Sequence, residues 1–144
     1  MEDKGLRHNV VNGVYVPFFV TQDVYEKTLQ RTPLKNGDVI ISTFPKSGTT
    51  LTQYLAYLLL HGDVPDGAKL TNVVPWFDAH KIKDEFLPQS NRIFKTHLHW
   101  RDMFQTDKNI KHIYVARNCK DVCVSMFYHT LAYSHVNKYV FSSL

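Results

Sequence analysis

Cysteine and long apolar segments are both scarce in this sequence. Its 144 residues contain two cysteines, Cys119 and Cys123, which are too few for a disulfide framework and which we interpret as small buried side chains of a helix. The longest apolar run, Leu55–Leu60, is much shorter than the roughly 20 residues that cross a bilayer. No apolar stretch of signal-peptide length opens the chain. These absences predict a cytoplasmic protein without a membrane segment.

A strong charge of one sign is also missing. Lysine and arginine number 17 against 13 aspartates and glutamates, for a formal net charge of +4, and the basic residues are scattered. Nucleic-acid binding would require a denser basic stripe, so we expect no nucleic-acid partner. Hydrophobic residues make up 44% of the chain and charged residues 21%, which excludes a disordered tail and fits a single domain over residues 1–144.

The order of predicted strands and helices indicates an α/β fold. Three strands are predicted at Val39–Ile41, Arg92–Thr96 and Lys111–Ala116. Helical patterns begin after Thr21, at Thr49 and after Asn118, and the last is apolar nearly all round, so we expect it to be buried. Residues 1–37 form an arm, irregular apart from a short extended piece at Val14–Val16, and the first helix. Strands that alternate with helices predict a mostly parallel central sheet.

A loop with the features of a phosphate cradle follows the first buried strand. Its residues are Lys46, Ser47, Gly48, Thr49 and Thr50. Gly48 allows close approach to the backbone, the first turn of the next helix has free N–H groups, and Lys46 adds a positive charge. The spacing G-x-x-x-x-G-K-[ST] is absent, so no nucleoside triphosphate with magnesium is implied. The alternative is an ordinary strand-to-helix turn with an incidental lysine.

Basic side chains also follow the other two predicted strands. Lys95 and His97 end the second strand, and Arg117 ends the third. Because ligands of open α/β sheets bind beyond the carboxyl ends of the strands, we expect these groups to converge with Lys46 on an anionic ligand. A neighbouring ammonium lowers the pKa of a histidine, which favours the neutral imidazole that a general base needs. The alternatives are a structural histidine and a helix-capping arginine.

Three motifs together resemble the cytosolic sulfotransferases. The segment Thr43–Thr50 resembles the family's 5'-phosphosulfate loop, and Phe94–Leu98 resembles its catalytic strand. Tyr114–Asn118, followed by Lys120–Val122 and Ser125, resembles its 3'-phosphate segment. The resemblance implies a P-loop-like three-layer fold. It also implies transfer of a sulfuryl group from 3'-phosphoadenosine 5'-phosphosulfate (PAPS) to the hydroxyl or amine of a small acceptor.

The family also implies roles for individual residues. His97 would take the proton of the acceptor, Lys95 would stabilise charge on the transferring group, and Lys46 would assist the leaving oxygen. The donor would be bound by Lys46, Ser47, Gly48, Thr49, Thr50, Leu51, Arg117 and Ser125. Leu51 stands where the family usually has a tryptophan that stacks on adenine, so we expect lower donor affinity. No metal is implied, because the lysines supply the positive charge.

The chain is about half the family's usual length. We therefore expect a truncated sulfotransferase domain that includes the amino-terminal half only. Family members are often homodimers, but the dimerisation motif expected near their carboxyl end is absent from these residues. An inactive fragment is therefore an alternative. A nucleotide-binding module or a kinase-like enzyme of the same fold is another, although the Walker spacing is absent. A metal site at His97 and His99, or at Cys119, Cys123 and His129, is a further alternative without a familiar zinc spacing.

The acceptor is a phenol, alcohol, steroid or amine by resemblance. Aromatic residues at Phe18–Phe19 and Pro75–Phe77 would either line an apolar acceptor pocket or belong to the core.

Overall fold

The computed structural model describes residues 8–11, 13–17, 20–78, 82, 85, 87–98 and 109–136. The strands are β1 (His8–Val11), β2 (Val14–Pro17), β3 (Val39–Thr43), β4 (Ile93–Thr96) and β5 (Lys111–Val115). The helices are α1 (Gln22–Arg31), α2 (Thr49–His61), α3 (Leu70–Val73) and α4 (Cys119–Val136).

The central sheet is parallel and has the strand order β4-β3-β5. Val39 at the start of β3 lies opposite Ile93 of β4 and Lys111 of β5. A short segment after α3 continues the sheet beyond β4, where Trp76 forms a parallel bridge with Lys95. The expected α/β fold with a parallel central sheet is confirmed. A parallel arrangement brings the carboxyl ends of all three strands to one edge.

Apolar side chains cover both faces of the sheet, as expected of a buried parallel strand. Ile40 and Phe94 pack with Tyr25 of α1 and with residues of the β1-β2 hairpin. On the other face, Ile41 and Ile93 pack with residues of α2 and α3. The alternation along β3 therefore places α1 and α2 on opposite sides of the sheet and produces three layers.

A buried ion pair joins the beginnings of β3 and β4. Arg92 donates from Nε to Oδ1 of Asp38 at 2.9 Å and from a second nitrogen to Oδ2, and it also donates to the carbonyl of Pro33. The backbone N–H of Lys35 donates to Asp38 Oδ2 at 2.6 Å. Because both charged groups are buried, loss of either one would leave an unpaired charge inside the fold.

The predicted helix boundaries agree with the structure. The Thr21 hydroxyl accepts a hydrogen bond from the Val24 N–H at 3.2 Å, and Asn118 Oδ1 accepts one from the Lys120 N–H at 2.9 Å. Gly62 ends α2 with a φ of 78° and donates its N–H to the carbonyl of Leu58. These caps satisfy backbone groups that the helices themselves leave unpaired.

Two local predictions are wrong. The segment His8–Val11, read as irregular, pairs antiparallel with β2, and Gly13 supplies the positive φ of the intervening turn. Helix α4, expected to be buried, has exposed apolar side chains, and so do both cysteines. On α4, Val122 is buried and Ser125 and Met126 are half-buried, whereas Phe127 is 56% exposed and Tyr128 66%. An apolar pattern all round a helix shows which residues the helix contains, but not which of them contact other segments. The described residues pack against one side of this helix.

Candidate active site

The ends of the three parallel strands bring together the groups that the sequence predicted. Thr43 ends β3 and leads into the loop of Lys46, β4 ends one residue before His97, and β5 ends two residues before Arg117. Since neighbouring strands are in register, with Ser42 opposite Thr96 and Thr43 opposite Val115, these loops lie at the same edge. The predicted convergence is present in the backbone.

The loop between β3 and α2 has an unusual backbone. Lys46 has a φ of 68° and Gly48 a φ of 110°, both in the left-handed region. A Cβ added to Gly48 would meet no atom within 4 Å, so the glycine is required by the backbone angle and borders open space. None of the described side chains caps the start of α2. The first N–H groups of the helix therefore remain available to an anion.

The hydroxyls of this loop differ in their surroundings. Thr49 is buried, and its Oγ1 lies 2.6 Å from Oγ1 of Thr43 in a hydrogen bond between the two hydroxyls. Ser47 is also buried, whereas Thr50 and Leu51 are exposed on the first turn of α2. The Thr43–Thr49 contact ties the end of β3 to the start of α2 and so fixes the loop between them.

His97 is oriented by the end of the neighbouring strand. Its Nδ1 lies 2.8 Å from the backbone carbonyl of Thr43 and 3.3 Å from the Thr43 hydroxyl. A carbonyl oxygen accepts and cannot donate, so the Nδ1 atom carries the proton. The lone pair of the neutral ring is then on Nε2, the atom that would accept a proton from a substrate.

His97 is also kept neutral. Burial lowers its pKa to about 4; the Thr43 carbonyl opposes this by favouring the charged form, and the Lys95 charge lowers the pKa further. The predicted effect of the neighbouring ammonium is present, but burial is the larger cause. At neutral pH the ring is therefore an unprotonated base.

Lys95 and His97 meet at the indole of Trp76. The Lys95 ammonium lies 4.4 Å from the centre of the Trp76 ring, and the His97 ring meets the same indole edge to face at 5.0 Å. Burial lowers the pKa of Lys95, and the charge of Asp78 raises it. Trp76 is thus at the site, whereas the adjacent Phe77 is fully buried in the core.

Arg117 and helix α4 approach the same loop. Arg117 Nη1 donates to the carbonyl of Lys46 at 3.1 Å. Ser125, half-buried, lies two turns along α4, and His129 follows one turn later on the same face. Burial lowers the pKa of His129, and the Lys46 charge lowers it further, so this face of α4 is within electrostatic reach of the loop.

A family model of the sulfotransferase domain matches residues 36–143. The chain belongs to the sulfotransferase family. The match covers every predicted site residue and all three central strands.

Named sulfotransferases are similar along much of the chain. Human (Homo sapiens) sulfotransferase 4A1 is 34% identical over 125 residues, which is 81% of this chain and 43% of the relative. Mouse (Mus musculus) sulfotransferase 1E1 is 36% identical over 105 residues, 65% of this chain and 36% of the relative. Dog (Canis lupus familiaris) sulfotransferase 1A1 is 37% identical over 117 residues, 72% of this chain and 38% of the relative. The chain therefore spans about two fifths of the length of these curated relatives.

Sequence reasoning missed parts of this sulfotransferase site. Thr43 belongs to the loop motif, but the motif assigns it no role, and no sequence pattern singles out Asp78. From the sequence, Trp76 fits either an acceptor pocket or the core. Its contact with Lys95 has no sequence signature, because the two residues lie in segments about 20 residues apart. Phe18, Phe19 and His99 lie outside the described residues.

Among the described residues, no group of three or more His, Cys, Asp or Glu side chains is placed to hold a metal ion. None of the described helices is long and apolar enough to cross a membrane.

Proposed function

We propose that this sulfotransferase chain takes part in transfer of a sulfuryl group from PAPS to the hydroxyl or amine of a small acceptor, with His97 as general base. The contact between His97 Nδ1 and the Thr43 carbonyl carries the proposal. It leaves Nε2 unprotonated beside the anion-binding edge of the sheet. A base so placed contributes roughly 10²–10⁴-fold in rate.

The residues at the strand ends fit a donor with several phosphate groups. The open backbone at Gly48, the uncapped start of α2 and the Lys46 charge suit the 5'-phosphosulfate. Arg117, whose guanidinium reaches the same loop, and Ser125 on α4 would hold the 3'-phosphate. Arg117 has further N–H groups beyond the one given to Lys46, and a planar fork suits a phosphate. Exposed Leu51 would pack on the adenine without a π face.

The groups at the strand ends account for each bond and proton that changes in the proposed transfer. The acceptor oxygen or nitrogen gives its proton to His97 Nε2 as its lone pair forms the new bond to sulfur. The bond between sulfur and the bridging phosphate oxygen breaks, and its electrons stay on that oxygen. PAPS supplies the sulfuryl group and a bisphosphate leaving group. Lys46 and Lys95 supply fixed positive charge where negative charge develops, which is the main contribution expected when such a group is transferred.

We propose the acceptor by its chemical class. The partly buried indole of Trp76 lies against both Lys95 and His97, which favours an acceptor with an apolar body next to its hydroxyl or amine. A phenol, an alcohol, a steroid or an amine meets this description. We further propose a cytoplasmic location, as the family resemblance implies.

A second candidate is nucleotide binding without transfer. The chain spans 43% of human sulfotransferase 4A1, so more than half of that relative has no counterpart among the compared residues. The donor groups described above lie within the chain, which would let it bind the nucleotide even where transfer fails.

Calorimetric titration of the 144-residue chain with 3'-phosphoadenosine 5'-phosphate tests the donor site. We expect Lys46→Ala to weaken binding by roughly 10- to 100-fold, because a hydrogen bond to a charged group is lost. His97→Ala is the matched control and should leave this affinity nearly unchanged while abolishing transfer to a phenol. Unchanged affinity in Lys46→Ala contradicts the cradle, and loss of binding in His97→Ala means that His97 is structural. Binding without transfer in the native chain favours the second candidate.

A further inference from the structure

Asp78 is a buried carboxyl group that the proposed reaction does not use. Its exposed fraction is 0%, although it follows the segment that pairs with the end of β4. A carboxylate loses much hydration on such burial, and burial accordingly raises the pKa of Asp78. A residue of this kind needs a compensating contact or a function.

The backbone fixes Asp78 next to the catalytic strand. Phe77 donates its N–H to the carbonyl of Lys95 at 2.8 Å, and Lys95 donates its N–H to the carbonyl of Pro75 at 3.0 Å. These two bonds hold the segment in register with β4. Asp78 comes directly after them, two residues beyond the Trp76 that pairs with Lys95, so the pairing places it on the same face as Trp76 near the end of β4.

Some of the groups around the Asp78 carboxyl favour its ionised form, whereas burial opposes it. Thr96 and Trp76 lie close enough to stabilise the charge, although none of the described groups meets either oxygen in a well-aligned hydrogen bond. The Thr96 hydroxyl accepts the N–H of Leu98 at 3.0 Å. The backbone N–H groups of Asp78 and His97 also favour the charged form. The charge of Asp78 in turn raises the pKa of Lys95.

We propose that Asp78 is a positioning residue, whose buried carboxylate keeps Lys95 protonated and holds its ammonium over the Trp76 ring beside His97. Burial of the Lys95 side chain lowers its pKa, and the charge of Asp78 opposes this effect. A neutral Lys95 would lose both its attraction to the indole and its charge toward a transferring group. The catalytic meaning of this role rests on the proposed function, but its effect on Lys95 does not.

The test measures the protonation of Lys95 directly in the 144-residue chain. Brief acetylation with acetic anhydride over a range of pH, read by mass spectrometry, gives the fraction of each lysine that is unprotonated. In Asp78→Asn, which keeps the shape and removes the charge, Lys95 should label roughly three to ten times faster near about pH 8 than in the native chain. Exposed Lys69 in the same sample should label at an unchanged rate. Identical Lys95 titration curves would overturn the proposal.

A second measurement covers the case in which Asp78→Asn does not fold. The carboxyl ¹³C resonance of Asp78 in the native chain reports whether the group is ionised at neutral pH. An ionised carboxylate supports the proposal, and a protonated one overturns it, because a neutral group cannot hold the charge of Lys95.

Transfer activity gives an independent readout. The alkaline limb of kcat should move to lower pH in Asp78→Asn, since Lys95 loses its proton sooner, while affinity for 3'-phosphoadenosine 5'-phosphate stays the same. A uniform fall in kcat without a shift of the limb would indicate a purely structural role. If no form of the chain transfers sulfate, the proposed function fails, and the labelling result still decides the role of Asp78.

Discussion

Replacing His97 with glutamine should make the fold less sensitive to acid. A histidine in the unfolded chain takes up a proton near pH 6.5, whereas burial lowers the pKa of His97 in the fold to about 4. Between these values the unfolded chain binds a proton that the folded chain does not, so acid favours unfolding. The stability that depends on neutral His97 is fully present above pH 6.5 and is lost as the pH falls toward 4.

The two pKa values give the size of the effect. Between about pH 7 and about pH 4.5, the proton linkage of this one group removes about 2 kcal/mol from the free energy of unfolding. Glutamine does not titrate, and its amide nitrogen can still donate to the Thr43 carbonyl. Other groups titrate in both proteins, and their contributions cancel in the difference.

Urea unfolding followed by tryptophan fluorescence at the two pH values measures this difference. The native chain should lose about 2 kcal/mol more than His97→Gln on acidification. His112→Gln is the control, because the His112 side chain is exposed on β5 and its removal should retain most of the acid loss. Equal acid losses in the native chain and His97→Gln would refute the argument that His97 is buried as the neutral base.

Two further predictions concern the scaffold of the site. Asp38→Ala leaves the buried Arg92 guanidinium without its partner and should lower the free energy of unfolding by roughly 3–5 kcal/mol. Asp23→Ala, which breaks an exposed pair with Lys27, should cost less than about 1 kcal/mol. Equal losses in urea unfolding would contradict the importance of burial. Gly48→Ala should cost about 1 kcal/mol through backbone strain at a φ of 110° and should weaken binding of 3'-phosphoadenosine 5'-phosphate, because the added methyl occupies the open face of the loop. Gly67→Ala has a similar positive φ and should keep native affinity in calorimetry; a Gly48→Ala variant that binds as well would show that no ligand approaches there.

The sequence predicted the parts of the fold that depend on neighbouring residues. The apolar run at Val39–Ile41 indicated a strand buried on both faces, and Thr21, Gly62 and Asn118 marked helix ends, because capping involves residues three or four apart. The predictions for α4 and for His8–Val11 were wrong for a related reason. Periodicity reports which side chains share a face, but it does not report which segment, if any, packs against that face.

For the site, the sequence alone determined the types of charged group and the strand ends that carry them: Lys46, His97 and Arg117 each follow a strand, and parallel strands end together. Only the tertiary structure decided how these groups act. The proton on His97 Nδ1 is fixed by a carbonyl 54 residues away, and the Lys95 ammonium lies over the ring of Trp76 from a separate segment. Hydrogen-bond direction, burial and pKa depend on contacts between distant segments, and these contacts exist only once the strands have paired.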